Sequence, residues 1–196
     1  METTAQPKTA RGEATRKAIL DAAEKVIGSV GFNEASISGI TQAAGVAQGT
    51  FYIYFKSKDE VFRALVLEMG RRLRRALSEA TEHVPDRIEA EKRGLAAFLT
   101  FVAAQPDLYR IVQEALFVDP GAYRAYFQTF ADNYRDAVAA AAGAGQMRAG
   151  DAEIRAWILM GIAKSLGERY AVWGETRPID EMVEAAHDLI VHGIKP

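Results

Sequence analysis

Apolar residues recur at α-helical spacing along most of the chain, and the alternating stretches typical of β-strands are rare. The first apolar stripe is made of Ile19, Ala22, Ala23, Val26, Ile27 and Val30. Gly28 and Gly31 mark the expected end of this helix. Ser36 is a suitable N-cap for a short second helix, and Gly45 is a suitable stop for it. The pattern therefore predicts an all-α fold.

The next positions predict a third short helix at about 47–54 and a long helix after it. Ser57-Lys58-Asp59-Glu60 matches a capping box, with serine at the cap and glutamate three residues later. The long helix is expected to start there and to run until a break at 83–85. Asp119 is the expected cap of a later helix. The further helices are predicted over 86–104, 107–118, 120–142, 151–173 and 178–192.

Two of the short helices, joined by the tight turn Ala44-Gly45-Val46, form the arrangement of a helix-turn-helix. Ile40, Val46 and Phe51 are expected to close the small core between them. The later of these two helices, at about 47–54, would then be the recognition helix, whose outward side chains meet base edges in the major groove. A purely structural helix-turn-helix is the alternative for a bare pair of short helices with a glycine turn.

The outward side chains of the predicted recognition helix have the chemistry that DNA contacts require. Gln48 can bond adenine, and the methyl group of Thr50 can pack on thymine. The hydroxyl groups of Tyr52 and Tyr54 can reach a phosphate or a base edge. Lys58 falls in the first turn of the next helix, where a DNA phosphate would satisfy both the lysine and the free backbone N–H groups.

Composition limits the function by exclusion. The 196 residues contain no cysteine, which excludes disulfides, thiolate metal sites and cysteine nucleophiles. His83, His187 and His192 are too dispersed to suggest a metal site. No apolar run approaches the roughly 20 residues that span a bilayer, and residues 1–11 lack the apolar core of a signal peptide. We therefore expect a cytoplasmic protein without a membrane partner, a metal or a cofactor.

The charge of the chain neither supports nor excludes DNA binding. The formal net charge is −2, whereas nucleic-acid binders are often basic. A small basic contact surface on a larger acidic body gives a near-neutral sum, so the location of the charge matters more. The run Arg71-Arg72-Leu73-Arg74-Arg75 lies about 20 Å along the long helix from Lys58. A solvated helix face is therefore favoured for this run over a nucleic-acid patch.

The segment 36–60 resembles the DNA-binding domain of the TetR family of bacterial transcriptional regulators. In that family a pattern of the type I-x-x-I-A-x-x-A-G-V-[SA]-x-G-x-[LF]-Y-x-[YH]-F-x-[ST]-K-[ED] spans helices two to four. Thr41 stands where alanine is usual, and Gly39 replaces a charged or polar residue. The matching positions are Ile37, Ile40, Ala44, Gly45, Val46, Ala47, Gly49, Phe51, Tyr52, Tyr54, Phe55, Ser57, Lys58 and Asp59.

The resemblance implies two domains and a set of DNA contacts. The DNA-binding domain is expected at 1–57, with the helix-turn-helix at about 36–55, and a helical effector-binding and dimerisation domain at 58–196. Two serines of helix two are expected to approach DNA, helix three supplies most contacts, and a lysine lies on phosphate. These residues are Ser36, Ser38, Gln48, Gly49, Thr50, Tyr52, Tyr54 and Lys58.

Aromatic side chains are frequent in the C-terminal part. Most aromatic residues at helical spacing belong to a core, yet packed helices can also leave an apolar cavity between them. Because members of the family usually hold an effector there, the resemblance implies a small-molecule effector, and the aromatic residues suggest that it is hydrophobic or aromatic. The candidates are Phe101, Tyr109, Phe117, Tyr126, Phe130 and Trp157.

The segment from Ile154 to Tyr170 has apolar residues on more than one face, so this helix needs partners on two sides, and the final helix has one apolar stripe. This fits a four-helix interface of a homodimer, which is usual for the family. Dimerisation also agrees with DNA binding, because two recognition helices read a palindrome where one reads few base pairs. The candidate interface residues are Ile154, Ile158, Ile162, Leu166, Val183, Ala186, Leu189 and Ile190.

The resulting hypothesis is a repressor that occupies a palindromic operator of double-stranded DNA as a homodimer and is released by a small effector. The alternatives within regulation are an activator, or a regulator controlled by another protein without an effector. A helical enzyme is a weaker alternative, because the sequence has no phosphate-cradling glycine motif and no recognisable nucleophile with a base. No catalytic residue is assigned.

Overall fold

The computed structural model of the chain describes residues 9–174 and 176–194, and every regular element in these ranges is helical. The predicted all-α fold class is confirmed. A π-helical turn, Glu168–Val172, continues α8. The α-helices are α1 (Ala10–Glu34), α2 (Ile37–Ala44), α3 (Gln48–Tyr54), α4 (Lys58–Thr81), α5 (Arg87–Ala104), α6 (Pro106–Val118), α7 (Pro120–Gly143), α8 (Ala152–Gly167) and α9 (Ile179–His192).

Helix α1 continues beyond the end that the sequence predicted. Gly31 leaves helical geometry with φ of +83°, a backbone conformation that glycine adopts without steric cost. One more turn then follows, closed by a 3.1 Å hydrogen bond from the Ala35 N–H to the Gly31 carbonyl. The predicted end is therefore a kink, and it redirects the chain just before α2 begins.

The predicted boundaries of α2 are confirmed by their capping geometry. The Ser36 hydroxyl accepts a 3.1 Å hydrogen bond from the Gly39 N–H at the start of the helix. Gly45 lies in the left-handed conformation at φ +65° just after the helix. The Val46 N–H donates to the Thr41 carbonyl at 3.0 Å and closes the turn into α3.

Local signals also position the later helices. The Ser57 hydroxyl accepts from the Glu60 N–H at 3.2 Å, as the capping box predicts. The returning carboxylate of Glu60 accepts from the Lys56 N–H rather than from Ser57. Asp119 accepts from the Ala122 N–H at 3.0 Å and caps α7. The helix predicted over 151–173 is an α-helix only to Gly167, after which the π-helical turn has wider hydrogen bonding.

The chain packs as two compact units, and each unit combines two segments that are not consecutive in the sequence. The first unit comprises the described residues up to Gly70 together with Asp107–Tyr126, and the second comprises Arg71–Pro106 and the described residues from Phe127 onwards. The first half of α4 and nearly all of α6 thus pack with the N-terminal helices. A functional boundary at residue 57 stays a prediction.

Each unit has its own apolar core. In the first unit the fully buried side chains include Ile19, Ile27, Ile40, Phe51, Phe55, Phe62 and Leu65. Their burial is the main favourable contribution to the stability of this unit. In the second unit α5 packs on α8 and α9, and its buried cluster consists of Leu95, Leu99, Met182, Val183 and Ala186.

Within residues 9–174 and 176–194, no single helix is both long and apolar enough to cross a bilayer, and α5 and α6 reach that length and apolarity only when taken together as a broken pair.

Candidate nucleic-acid interface

The recognition helix α3 is divided into an inward and an outward side. Phe51 and the following Phe55 are buried, with ring centroids 5.8 Å apart, so they fix α3 on the core of the first unit. Gln48 and Gly49 are exposed, and the Tyr52 side chain is 50% exposed. The outward side therefore presents polar and aromatic groups that can meet a base edge.

Ile53 belongs to this outward side, although no feature of the sequence marked it as a contact residue. Its side chain is 68% exposed, next to Tyr52. The register of a short helix places positions i, i+3 and i+4 on one face, so Gly49, Tyr52 and Ile53 point the same way. This register was visible in the sequence, but which of these side chains stays exposed depends on how α3 packs on the core. Thr50 and Tyr54, which were predicted as contacts, are half-buried.

The start of α2 presents the two serines that the sequence predicted. Ser36 and Ser38 are exposed, and their hydroxyl oxygens are 3.0 Å apart. A Cβ added at Gly39 would lie 3.3 Å from the Ser36 hydroxyl oxygen, so glycine leaves room for the cap. The Thr41 hydroxyl donates to the Ser38 carbonyl at 3.0 Å and is buried with a partner. Both departures from the family pattern are therefore accommodated locally.

Lys58 does not extend towards solvent in the structure. Its ammonium group donates to the carbonyl oxygens of Phe32 at 2.6 Å, Asn33 at 3.2 Å and Ala35 at 2.8 Å. The ammonium nitrogen also lies 4.3 Å from the centre of the Phe32 ring. An ammonium has three protons to donate, and three carbonyl groups receive them here. The contact of Lys58 with a DNA phosphate stays a prediction.

A second cation lies beside the recognition helix. The guanidinium of Arg16, from α1, is 5.0 Å from the centre of the Phe55 ring at the end of α3. This is within the range of a cation–π contact, and it brings positive charge close to the end of α3. No motif in the sequence indicated this residue, because α1 reaches α3 only through tertiary packing.

The six aromatic residues predicted to bind an effector are distributed over both units. In the first unit Tyr109 and Tyr126 are buried, whereas Phe117 is 83% exposed. In the second unit Phe101 and Phe130 are half-buried and Trp157 is exposed. Their role in binding a ligand stays a prediction.

A cavity of about 470 Å³ lies within the second unit, and none of the six aromatic candidates lines it. Its walls are mainly apolar, with Thr176 and Arg177 as polar groups. The lining residues are Leu99, Ala103, Tyr170, Thr176, Arg177, Pro178, Ile179 and Met182. In the described part of the chain, no group of three or more acidic or histidine side chains could hold a metal ion.

The predicted dimer-interface residues also separate into two groups. Ile154, Ile158 and Leu189 are exposed, and Ile162, Leu166 and Ile190 are half-buried. Val183 and Ala186 are buried within the chain's own core, against α5. The exposed group is the part available to a partner subunit, and the interface itself stays a prediction.

Comparison with known protein sequences supports a regulator. The family model of bacterial regulatory proteins of the tetR family matches residues 19–65. The HTH-type transcriptional regulator EthR of Mycolicibacterium smegmatis is 30% identical over 129 residues, which cover 61% of this chain and 59% of EthR. The HTH-type transcriptional regulator YdgC of Bacillus subtilis is 29% identical over 192 residues, 95% of each protein.

Comparison with solved structures supports the same fold over most of the chain. FadR from Bacillus subtilis, solved in complex with stearoyl-CoA, has a TM-score of 0.81 at 20% identity. The match covers 91% of this chain and 99% of FadR. AibR, solved in complex with isovaleryl coenzyme A and operator DNA, has a TM-score of 0.73 at 14% identity. The match covers 89% of this chain and 97% of AibR. At these identities the likeness shows the fold.

Proposed function

The chain belongs to the TetR family of bacterial helix-turn-helix transcriptional regulators, and from this premise we propose that it is a repressor released from operator DNA by a small molecule with an apolar part. The observation that carries the proposal is the outward side of α3, where Gln48, Tyr52 and Ile53 are exposed on a helix held firmly by Phe51 and Phe55. Repression follows when such a helix occupies DNA that a polymerase needs. The protein would act in the cytoplasm, where the DNA is.

The exposed residues suggest how the operator is read. Tyr52 offers a hydroxyl that can bond a phosphate or a base, and Ile53 offers an apolar surface that suits the methyl group of thymine. Ser36 and Ser38 at the start of α2 are exposed for contacts with the sugar-phosphate backbone. Gly49 has open space where a Cβ would be, so the backbone of α3 can approach the groove closely.

Dimerisation is the second part of the proposal. Ile154, Trp157 and Ile158 form an exposed apolar group on α8, and Leu189 is exposed on α9. Large apolar side chains at this density are costly to leave in water and typically mark an interface. A twofold dimer would present two copies of α3 to a palindrome. The half-buried Ile162 and Leu166 continue the same helix towards the chain's own core.

The effector is the third part. FadR was solved with stearoyl-CoA and AibR with isovaleryl coenzyme A, and both share this fold. The mainly apolar walls of the cavity in the second unit are of the kind that can take an acyl group. We therefore take an acyl thioester of coenzyme A as the first class of effector to test.

The operator is best found by selection from random-sequence DNA, followed by binding measurements on the selected duplex. The wild type is expected to select a palindrome. Tyr52→Ala and Ile53→Ser are each expected to weaken binding by about tenfold or more, since each change occurs twice in a dimer. Both side chains are exposed, so the thermal midpoint should stay within a few degrees of the wild type.

The matched control for these variants is Glu89→Ala, which removes a surface side chain of the second unit. It should bind the operator as the wild type does. A folded, dimeric wild type that selects no sequence, or variants at Tyr52 and Ile53 that bind normally, would contradict the proposed function of α3.

Release by the effector can be measured on the same complex. Adding stearoyl-CoA at a concentration well above its dissociation constant should lower operator affinity, because a ligand that prefers the non-binding state shifts the equilibrium by that preference. Free coenzyme A is the control for the nucleotide part, and free stearate is the control for the acyl part. If acyl thioesters of short and long chain leave the operator affinity unchanged, the effector is not an acyl-CoA. Control by another molecule would then be the remaining explanation.

A further inference from the structure

The corner where α1 ends is held by side chains from two other helices of the first unit. We define the α1 exit corner as Gly31–Ala35, the segment that follows the kink and leads directly to Ser36, the cap of α2. Because α2 and α3 follow within a few residues and are joined by a tight turn, the position of this corner sets where the helix-turn-helix begins. A contact that fixes the corner therefore fixes the base of the recognition unit.

The first contact comes from α6. The Glu114 carboxylate accepts a 2.8 Å hydrogen bond from the Phe32 N–H, across 82 residues of sequence. The same carboxylate oxygen would lie 3.4 Å from a Cβ added at Gly31. The N–H at this position points away from the kinked helix, so a side chain from another element is needed to satisfy it.

The second contact comes from α4. Lys58 donates to three carbonyl groups of the same corner, those of Phe32, Asn33 and Ala35. The Phe32 ring also packs edge-on against Phe62 of α4, with ring centroids 4.9 Å apart. Glu114 thus accepts a hydrogen bond from an N–H of the corner, and Lys58 donates to its carbonyl groups.

Helix α6 is itself anchored at both of its ends. At its start Asp107 packs so closely on α1 that a Cβ at Gly28 would lie 2.6 Å from the Asp107 Cβ. Just beyond its end Asp119 accepts a 2.6 Å hydrogen bond from Arg63 of α4. Burial raises the pKa of Asp119, but the hydrogen bonds from Arg63 and from backbone N–H groups outweigh it and lower the pKa. The carboxylate therefore stays ionised and keeps its partner at neutral pH.

From this geometry we infer that Glu114 is a positioning residue for operator binding: its carboxylate holds the α1 exit corner and thereby sets the orientation of the helix-turn-helix. The inference rests on the proposed function of α3. Losing the contact frees the Phe32 peptide, so that the recognition unit has to be ordered again each time it binds DNA. Any rearrangement that withdraws Glu114 from Phe32 would have the same effect on affinity.

The test compares Glu114→Ala with Glu114→Gln in the full-length chain. Glutamine retains an oxygen that can accept from the Phe32 N–H but has no charge, so its bond is weaker than that of the carboxylate. Hydrogen exchange of the amides in 31–36 reports the corner directly. Operator binding by fluorescence anisotropy reports its consequence, and the thermal midpoint reports general damage.

For Glu114→Ala, amide exchange in 31–36 and the operator dissociation constant should each rise by about tenfold, the effect of losing one charge-assisted hydrogen bond. Glu114→Gln should show smaller changes in both quantities. Faster exchange throughout the chain, with a lower thermal midpoint and no excess at 31–36, would overturn the inference. So would operator affinity that is unchanged or increased in the alanine variant.

The two proposals fail in distinguishable ways. If the wild type binds no specific DNA, the proposed function fails, and exchange in 31–36 still decides whether Glu114 holds the corner. If the wild type binds its operator and Glu114→Ala exchanges and binds as the wild type does, only the positioning role of Glu114 is overturned.

Discussion

Replacing Glu91 with alanine is expected to lower the free energy of unfolding by about 3–5 kcal/mol, the usual cost of breaking a buried ion pair. The Glu91 side chain, on α5 in the second unit, is only 5% exposed. It accepts hydrogen bonds from the Arg87 guanidinium and from the Tyr134 hydroxyl of α7. Removing the carboxylate would leave the half-buried Arg87 cation and the half-buried Tyr134 without the acceptor that both now share.

Arg87 and Tyr134 also interact with each other beside Glu91. The Arg87 guanidinium is 5.4 Å from the centre of the Tyr134 ring, and its Nε atom is buried without a hydrogen-bond partner. Burial raises the pKa of Tyr134, and the negative charge of Glu91 raises it further, so the phenol stays protonated and can only donate to the carboxylate. The three side chains thus depend on one another for their polar contacts.

The measurement is urea unfolding, with Glu89→Ala as the matched control on the same helix. Glu89 pairs with Arg93 at the surface, and its loss should cost about 0.5 kcal/mol or less. Glu91→Gln should fall between the two, because the amide retains an acceptor oxygen. A midpoint for Glu91→Ala equal to that of Glu89→Ala would mean that the buried pair contributes nothing net.

The parts of the fold predicted correctly from sequence are those with local signals. The cap at Ser36 and the stop at Gly45 depend on residues within one turn of each other, so their chemistry is readable without knowing the rest of the fold. The π-helical turn after Gly167 has no such signal. Its wider hydrogen bonding begins inside an apolar stretch whose periodicity continues, and the sequence predicted one uninterrupted helix there.

The candidate site shows the same limit. The motif identified α3 as the recognition helix, but which side chains are exposed depends on how α3 packs on the core. Ile53 was missed for this reason, and Thr50 and Tyr54 are less exposed than expected. Glu114 lies 82 residues from its partner Phe32. No spacing rule connects two residues that meet only after α6 has packed on α1.

The aromatic candidates for an effector site illustrate a further difficulty. Composition predicts that aromatic residues line a cavity or fill a core, and both outcomes use the same helical spacing. In the structure Tyr109 and Tyr126 are buried while Phe117 is largely exposed. The two environments follow from the packing of α6 and α7 in the first unit, which the periodicity of either helix alone does not specify.

Lys58→Met is expected to weaken operator binding by about tenfold while the salt dependence of binding stays that of the wild type. The variant keeps an unbranched apolar side chain and removes the ammonium, which lies over the Phe32 ring and bonds the carbonyl groups of Phe32, Asn33 and Ala35. Losing these charge-assisted bonds should also lower the free energy of unfolding by about 2 kcal/mol. The loss of affinity would then follow from a loosened α1 exit corner.

A phosphate contact would give the opposite combination. Each phosphate neutralised by a cation contributes about −0.9 to the slope of log Kobs against log salt, so a dimer that loses two such contacts should lose about 1.8 from its slope. A methionine variant with a slope reduced by that amount and an unchanged unfolding free energy would assign Lys58 to DNA. Operator titrations at several salt concentrations, with Tyr52→Ala as a variant that removes no cation, separate the two roles. All three hydrogen bonds of the Lys58 ammonium go to backbone carbonyls in the free protein, so a phosphate would have to replace bonds already made. We therefore expect that Lys58 acts mainly by holding the α1 exit corner.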